Sequence, residues 1–170
     1  SAASDVYKRQ DLYMGPESGD DETLSMVNKN QTSSDIIEQC KKLEAADIKY
    51  VVSFLNGLAG SKRSKEHAIE SARTYNQLNP TFVGSGGLTL FPDTDLYQAA
   101  QIGEFHDLTE LERLIELKTF LEHLTINTYI LSHHTSTVYV QGKFPENKQE
   151  MLDKLQLSLI HISEPTRRSY

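Results

Sequence analysis

Apolar residues along this chain fall into two patterns. Three short, nearly continuous runs, Leu12–Met14, Tyr50–Leu55 and Phe82–Phe91, each lead into a polar or glycine-bearing turn and predict strands. Tyr50-Val-Val-Ser-Phe-Leu55, rich in β-branched and aromatic residues, reads as a strand covered on both faces. The glycines of Phe82-Val-Gly-Ser-Gly-Gly weaken that strand but let a ligand or another backbone approach closely. Between the runs, apolar residues take helical spacing: Leu24 and Val27; then Ile36, Ile37, Cys40 and Leu43; then Ala68, Ile69, Ala72 and Tyr75. Each of these helices has a start signal. Ser18 or Asp20 caps the first, with Asp21 and Glu22 in its first turn. Thr32 with Asp35 forms a shortened capping box for the second. Ser64 caps the third, which runs to about Leu78 and stops at Asn79-Pro80.

The later part of the chain is more helical. The turn Pro92–Asp95 feeds a helix over Leu96–Ile102. Thr109 and Glu112 make a capping box for the strongest helix, with Leu111, Leu114, Ile115, Leu117, Leu121 and Leu124 as its apolar face. Thr128–Leu131 reads as a fourth strand. Pro145 suits the first turn of a last helix carrying Met151, Leu152 and Leu155. The first three strands begin near residues 12, 49 and 82, a repeat of about 35 residues that suits successive βα units of a parallel sheet. The fold class is therefore α/β. Right-handed crossovers put the C-terminal ends of these strands on one edge. That edge carries Glu17 and Ser18, then Asn56 and Gly57, then Thr89 and Phe91.

Composition narrows the functions this edge can serve. With 170 residues, one domain is the default. A net charge of −7 argues against a broad nucleic-acid surface and against anionic membranes. No run is long and apolar enough to span a bilayer, and there is no signal-peptide pattern. The single cysteine rules out an internal disulfide framework and fits a reducing cytoplasm; Cys40 itself reads as a core filler. His133 and His134 are adjacent, so on a strand they point to opposite faces and do not ligate one ion. His67, His106 and His123 lack partner spacing. Lys62, Arg63 and Lys65 read as a solvated loop. Residues 1–10 and 157–170 resemble translated sequencing-library adapters and are set aside as non-native tails. The working division is residues 11–104 as βα units and 105–156 as a helical C-terminal extension.

Three motifs now stand in order: Gly15-x-Glu17-Ser18-Gly19-Asp20-Asp21, then Asn56-Gly57-x-x-Gly60, then Leu88-Thr89-Leu90-Phe91-Pro92-x-Thr94-x-Leu96-Tyr97. In that order and at that spacing the chain resembles the C-terminal half of a radical S-adenosylmethionine enzyme. The branch it resembles is shared by anaerobic coproporphyrinogen oxidase, the methylthiotransferases and the Elongator-type catalytic subunit. The resemblance implies a partial, TIM-like (β/α)6 barrel whose fourth to sixth strands are seen here. It implies that Gly15, Glu17 and Ser18 reach the ribose and amino-acid part of S-adenosylmethionine. Asn56, Gly57 and Gly60 would lie along the adenine, and Thr89 and Phe91 would read its edge. It also implies a [4Fe–4S] cluster in the intact protein, held by a Cys-x-x-x-Cys-x-x-Cys motif that this chain lacks. One cysteine cannot supply the thiolates a cluster needs, so this chain contributes no metal ligands and its catalytic residues are not assigned. The implied partners are an N-terminal half of the same protein and a small-molecule or tetrapyrrole-like substrate. Pro16 departs from the family pattern, which has an aliphatic residue there. Asp93 and Asp95 stand where Gly and Pro are common, which puts the local turn geometry in question.

Each residue also has a plainer reading. Glu17 can be a carboxylate at a helix start, Ser18 an N-cap, Gly57 and Gly60 ordinary turn glycines, and Gly84, Gly86 and Gly87 a bulge. Two other functions stay open at this point. One is a fragment of a different (β/α)-barrel enzyme that binds a phosphorylated metabolite at the same edge. The other is a non-catalytic partner domain with a closed surface and no exposed sheet edge, whereas a fragment is expected to show an uncovered strand at Leu12–Met14 and apolar patches where earlier strands belong.

Overall fold

A computed structural model describes residues 11–133 and 138–163. Five strands form one sheet in sequence order: β1 (Leu12–Glu17), β2 (Tyr50–Asn56), β3 (Phe82–Gly87), β4 (Thr128–His133) and β5 (Tyr139–Phe144). The first four are mutually parallel, and β5 returns antiparallel to β4. The helices are α1 (Asp21–Met26), α2 (Ser33–Ala45), α3 (Ser64–Tyr75), α4 (Asp95–Gln101), α5 (Glu110–His123) and α6 (Lys148–Ser163), with a 3-10 turn over Ser61–Arg63 ahead of α3. The predicted α/β class and parallel order are observed. The C-terminal part is helical through α5 and α6, and it also adds β4 and β5 to the sheet.

The helix starts follow local chemistry. Asp20 caps α1, and Thr32 and Thr109 form full capping boxes with Asp35 and Glu112. Ser64 departs from expectation: α3 begins without a side-chain cap, because the Ser64 hydroxyl donates to Glu116 instead. Pro145 also departs, lying in the turn between β5 and α6 rather than in the helix, where its carbonyl accepts from Lys148 N–H. Residues 157–163 continue α6, and Leu159 packs against the core. Residues 1–10 and 164–170 lie outside the described residues, as does His134.

One face of the sheet carries the core. Tyr50, Val52, Phe54, Val83, Ile130, Val140 and Phe144 meet Ile36 and Cys40 from α2, Ala68, Ala72 and Tyr75 from α3, Leu117, Phe120 and Leu121 from α5, and Met151 and Leu155 from α6. Phe54 and Phe120 stack at 4.1 Å, and Tyr75 meets Phe120 edge-on. Cys40 is a core filler, as expected, and burial pushes its thiol up in pKa. The other face is more open. On β2, Val51, Ser53 and Leu55 are only half-buried and alternate with the fully buried set. The expectation that β2 is covered on both faces is therefore corrected: among the described residues, helices cover one face. β1 is an edge strand, with Leu12 45% and Tyr13 66% exposed. Among the described residues, no helix is long and apolar enough to cross a membrane.

Candidate functional site

The parallel register sets the strand ends beside one another. Glu17 pairs with Phe54, Asn56 with Gly87, and Gly86 with His133. The exits of β1, β2, β3 and β4 thus form one rim, the edge where α/β proteins hold ligands.

The β1 exit is a bulged turn. Register shifts between Met14 and Glu17, Pro16 is buried, and Glu17 has a left-handed backbone (φ 63°). That conformation is uncommon for a residue with a side chain, and outliers of this kind gather at functional turns. Lys29 reaches back to hold the turn. Its Nζ donates to the Gly15 carbonyl at 2.8 Å and lies 3.3 Å from the Glu17 carboxylate. The Glu17 side chain stays 38% exposed on the rim.

Ser18 behaves differently from Glu17. It is fully buried, its Oγ accepts from Asp20 N–H at 3.0 Å, and it lies 3.3 Å from Ser71 Oγ on α3. This hydroxyl fastens the turn to α3 and does not face the rim. Gly19 completes the fastening, donating to Ser71 Oγ and accepting from Thr74 Oγ1 at 2.7 Å. A Cβ at Gly19 would lie 2.7 Å from Thr74 Cβ and 3.0 Å from Ser71 Cα, so only glycine fits.

Asp20 is the electrostatic centre of the turn. It accepts from Thr23 N–H and Oγ1 and from Arg63 Nη2 at 3.0 Å. Burial pushes its carboxyl up in pKa, but the Thr23 hydroxyl and the Arg63 guanidinium outweigh that and hold it below its ordinary value. Arg63 also pairs with Glu22 at 2.8 Å. The expectation of a solvated Lys62-Arg63-Lys65 loop is therefore corrected at Arg63, which ties the β1 exit to the segment after β2.

At the β2 exit, Asn56 and Gly57–Gly60 are buried. Asn56 Nδ2 donates to the Arg113 carbonyl at 2.9 Å, and its backbone carbonyl accepts from Leu88 N–H at 2.8 Å. Its Oδ1 is buried and has no hydrogen-bond partner among the described residues. Gly57 (φ 93°) donates its N–H to Glu116 Oε1 at 2.7 Å. Gly60 (φ 71°) leaves no space for a side chain, since a Cβ there would lie 2.9 Å from the Phe105 ring and 3.0 Å from the His106 carbonyl.

The β3 exit is the exposed part of the rim. Thr89 is exposed and Phe91 is 62% exposed. Asp93 and Asp95 do not disturb the turn that follows. Thr94 donates N–H and Oγ1 to the Phe91 carbonyl at 3.0 and 2.7 Å and caps α4, and Asp95 sits in that helix's first turn.

Two residues near the rim carry no assignment in the motif reading. His133 ends β4 exposed on the rim, its ring edge-on to Tyr139 at 5.5 Å. Glu116 is 1% exposed, beneath the β2 exit. Its place among leucines on a helix that reads as amphipathic hides it from periodicity. A cleft of about 350 Å³ lies beside the rim, lined by Met26, Leu58, Asp95, Leu96 and Phe105 among others. It includes none of Glu17, Gly57 or Phe91, so the open part of the predicted site is a surface rather than this cleft.

The residues here do not fit an iron–sulfur cluster. Cys40 is buried in the core, and among the described residues no three of His, Cys, Asp and Glu gather to hold a metal. The exposed groups on the rim, the Glu17 carboxylate, the Thr89 hydroxyl and the Phe91 ring, have the polar and aromatic chemistry that a nucleoside takes, and beneath them Asn56 Oδ1 is buried without a partner among the described residues.

No family model and no curated protein sequence matches this chain. Among solved structures, its fold is similar to that of the archaeal Methanocaldococcus infernus Elp3 with an N-terminal deletion. The TM-score is 0.62 at 18% identity, over 87% of this chain and 36% of that one. At that identity the likeness shows the fold alone: an α/β sheet with a helical C-terminal part, matching a partial TIM-like barrel. The chain spans little more than a third of the structure it resembles.

Proposed function

We propose that this chain is the part of a radical S-adenosylmethionine enzyme that binds the cofactor's nucleoside, and that a further part of the same protein supplies the cluster. The observation that carries this reading is the shared rim. Three motifs set well apart in sequence end on adjacent parallel strands, with Glu17, Gly57 and the Thr89–Phe91 segment at the exits. The likeness to an Elp3 at the level of fold supports it. So does the open sheet face, whose half-buried Val51, Ser53 and Leu55 suit the lumen of a larger barrel.

In this reading Glu17 accepts hydrogen bonds from the ribose hydroxyls or the cofactor's ammonium, and Lys29 keeps its carboxylate aimed at the rim. Thr89 and Phe91 cover the adenine, and the buried Asn56 and Gly57 hold the β2 exit in place beneath it. Gly15 and Gly60 shape the two turns, and Ser18 acts through the fold. Glu17, Thr89 and Phe91 would hold S-adenosylmethionine, which would supply the hydrogen-abstracting chemistry of the intact enzyme; this chain's part would be to hold and orient it. In this reading the substrate is a small molecule or a tetrapyrrole-like compound, and the protein acts in the cytoplasm.

Calorimetric titration of the chain with S-adenosylmethionine, S-adenosylhomocysteine and inorganic phosphate tests the reading. Saturable binding of both nucleosides, weakened about tenfold or more by Glu17→Ala, is expected. Binding of phosphate alone, unaffected at Glu17, would support a barrel for phosphorylated metabolites instead.

A further inference from the structure

Glu116 is a buried carboxylate on the core-facing side of α5. Oε1 accepts the Gly57 N–H at 2.7 Å and Oε2 accepts the Ser64 hydroxyl at 2.5 Å. His67, also fully buried and stacked on Phe54 at 4.8 Å, places Nδ1 3.5 Å from Oε1. One turn earlier on the same helix, the Arg113 carbonyl accepts from Asn56 Nδ2. Helix α5 therefore holds two consecutive residues of the β2 exit. The β3 exit is attached to the first of them through Leu88 N–H.

A buried carboxylate is costly to desolvate, and a hydrophobic residue of similar size often serves stability as well. What a leucine cannot do is accept the Gly57 N–H. Glycine is conformationally permissive, so sterics alone leave this turn free to take several shapes. An external acceptor selects one, and the Glu116 carboxyl supplies it at 2.7 Å. We propose that Glu116 is a positioning residue: it fixes the buried Gly57 turn that underlies the rim where the nucleoside lies, and so controls cofactor affinity from beneath the site. This rests on the cofactor reading given above, which assigns Gly57 but not Glu116.

The test uses the full chain, isotopically labelled, with Glu116→Leu, Glu116→Gln and Ser64→Ala. Two quantities are read: hydrogen exchange and the proton shift at the Gly57 amide, and affinity for S-adenosylhomocysteine. Glu116→Leu keeps the packing and removes the acceptor. The Gly57 amide is expected to move upfield and exchange faster, and affinity to fall about tenfold or more. Glu116→Gln keeps an oxygen acceptor and is expected to retain affinity within about threefold. Ser64→Ala removes the other partner and is expected to lower stability while affinity holds. An unchanged Gly57 amide in Glu116→Leu overturns the clamp. A changed amide with unchanged affinity overturns its role in cofactor binding. A wild-type chain that binds no nucleoside, while Gly57 still responds to Glu116→Leu, overturns the cofactor reading and with it the purpose assigned to the clamp.

Discussion

At the scale of single residues, contact distances at the β1 exit decide which substitutions the turn tolerates. Gly19→Ala forces the turn off α3, since its new Cβ would meet Thr74 Cβ at 2.7 Å. Urea unfolding should register a loss of about 1–3 kcal/mol. Asp20 yields a pH prediction. Its folded pKa lies below the unfolded value of about 3.9. The stability it contributes is therefore fully present above that unfolded value and is lost as pH falls through the lower folded one. Asp20→Asn should melt below wild type at pH 7, and the gap should close under pH 4 in a Tm-against-pH series. The sequence makes part of this residue-level chemistry legible. Asp20 is readable as a cap, because capping is local. Ser18 and Ser64 are misread as rim or cap hydroxyls, because their partners, Ser71 and Glu116, lie about fifty residues away. Glu116 is invisible for the same reason: its inward turn depends on donors that only the fold supplies.

At the scale of elements, α5 shows how periodicity succeeds and where it slips. The repeat correctly buries Leu114, Leu117, Leu121 and Leu124. It assigns Ile115 inward, yet Ile115 is 48% exposed and Glu116 takes the inward place beside it. Leu117→Ala should cost about 2–5 kcal/mol, whereas Ile115→Lys should change stability by less than about 0.5 kcal/mol, both read by chemical denaturation. Thr109→Ala removes one half of a capping box and should cost about 1 kcal/mol in the same assay. Strand β5 escapes the sequence reading because Gln141, Gly142 and Lys143 make it look like a polar loop. Its outward residues alternate with Val140 and Phe144, which pack under α6. β2 is recognised as a strand, but its continuous apolar run overstates its cover. Val51 and Leu55 are apolar on a face that the described helices leave open.

At the scale of the molecule, the legible feature is the parallel order. A repeat of about 35 residues fixes βα crossovers of one hand, and that alone sets the three motifs on a common rim. The exposed edge of β1 and the apolar residues on the open sheet face are what a fragment is expected to show, an expectation that comes from the family resemblance and from no single motif. Both suit a half-barrel better than a closed, non-catalytic domain. The most direct test of the central claim is an amide chemical-shift map of the chain titrated with S-adenosylmethionine. The account predicts saturable, concerted shifts at Glu17, Gly57 and the Thr89–Phe91 segment, with one dissociation constant for all three. Shifts confined to the neighbouring cleft around Met26, Leu96 and Phe105, or scattered over unrelated faces, would contradict it.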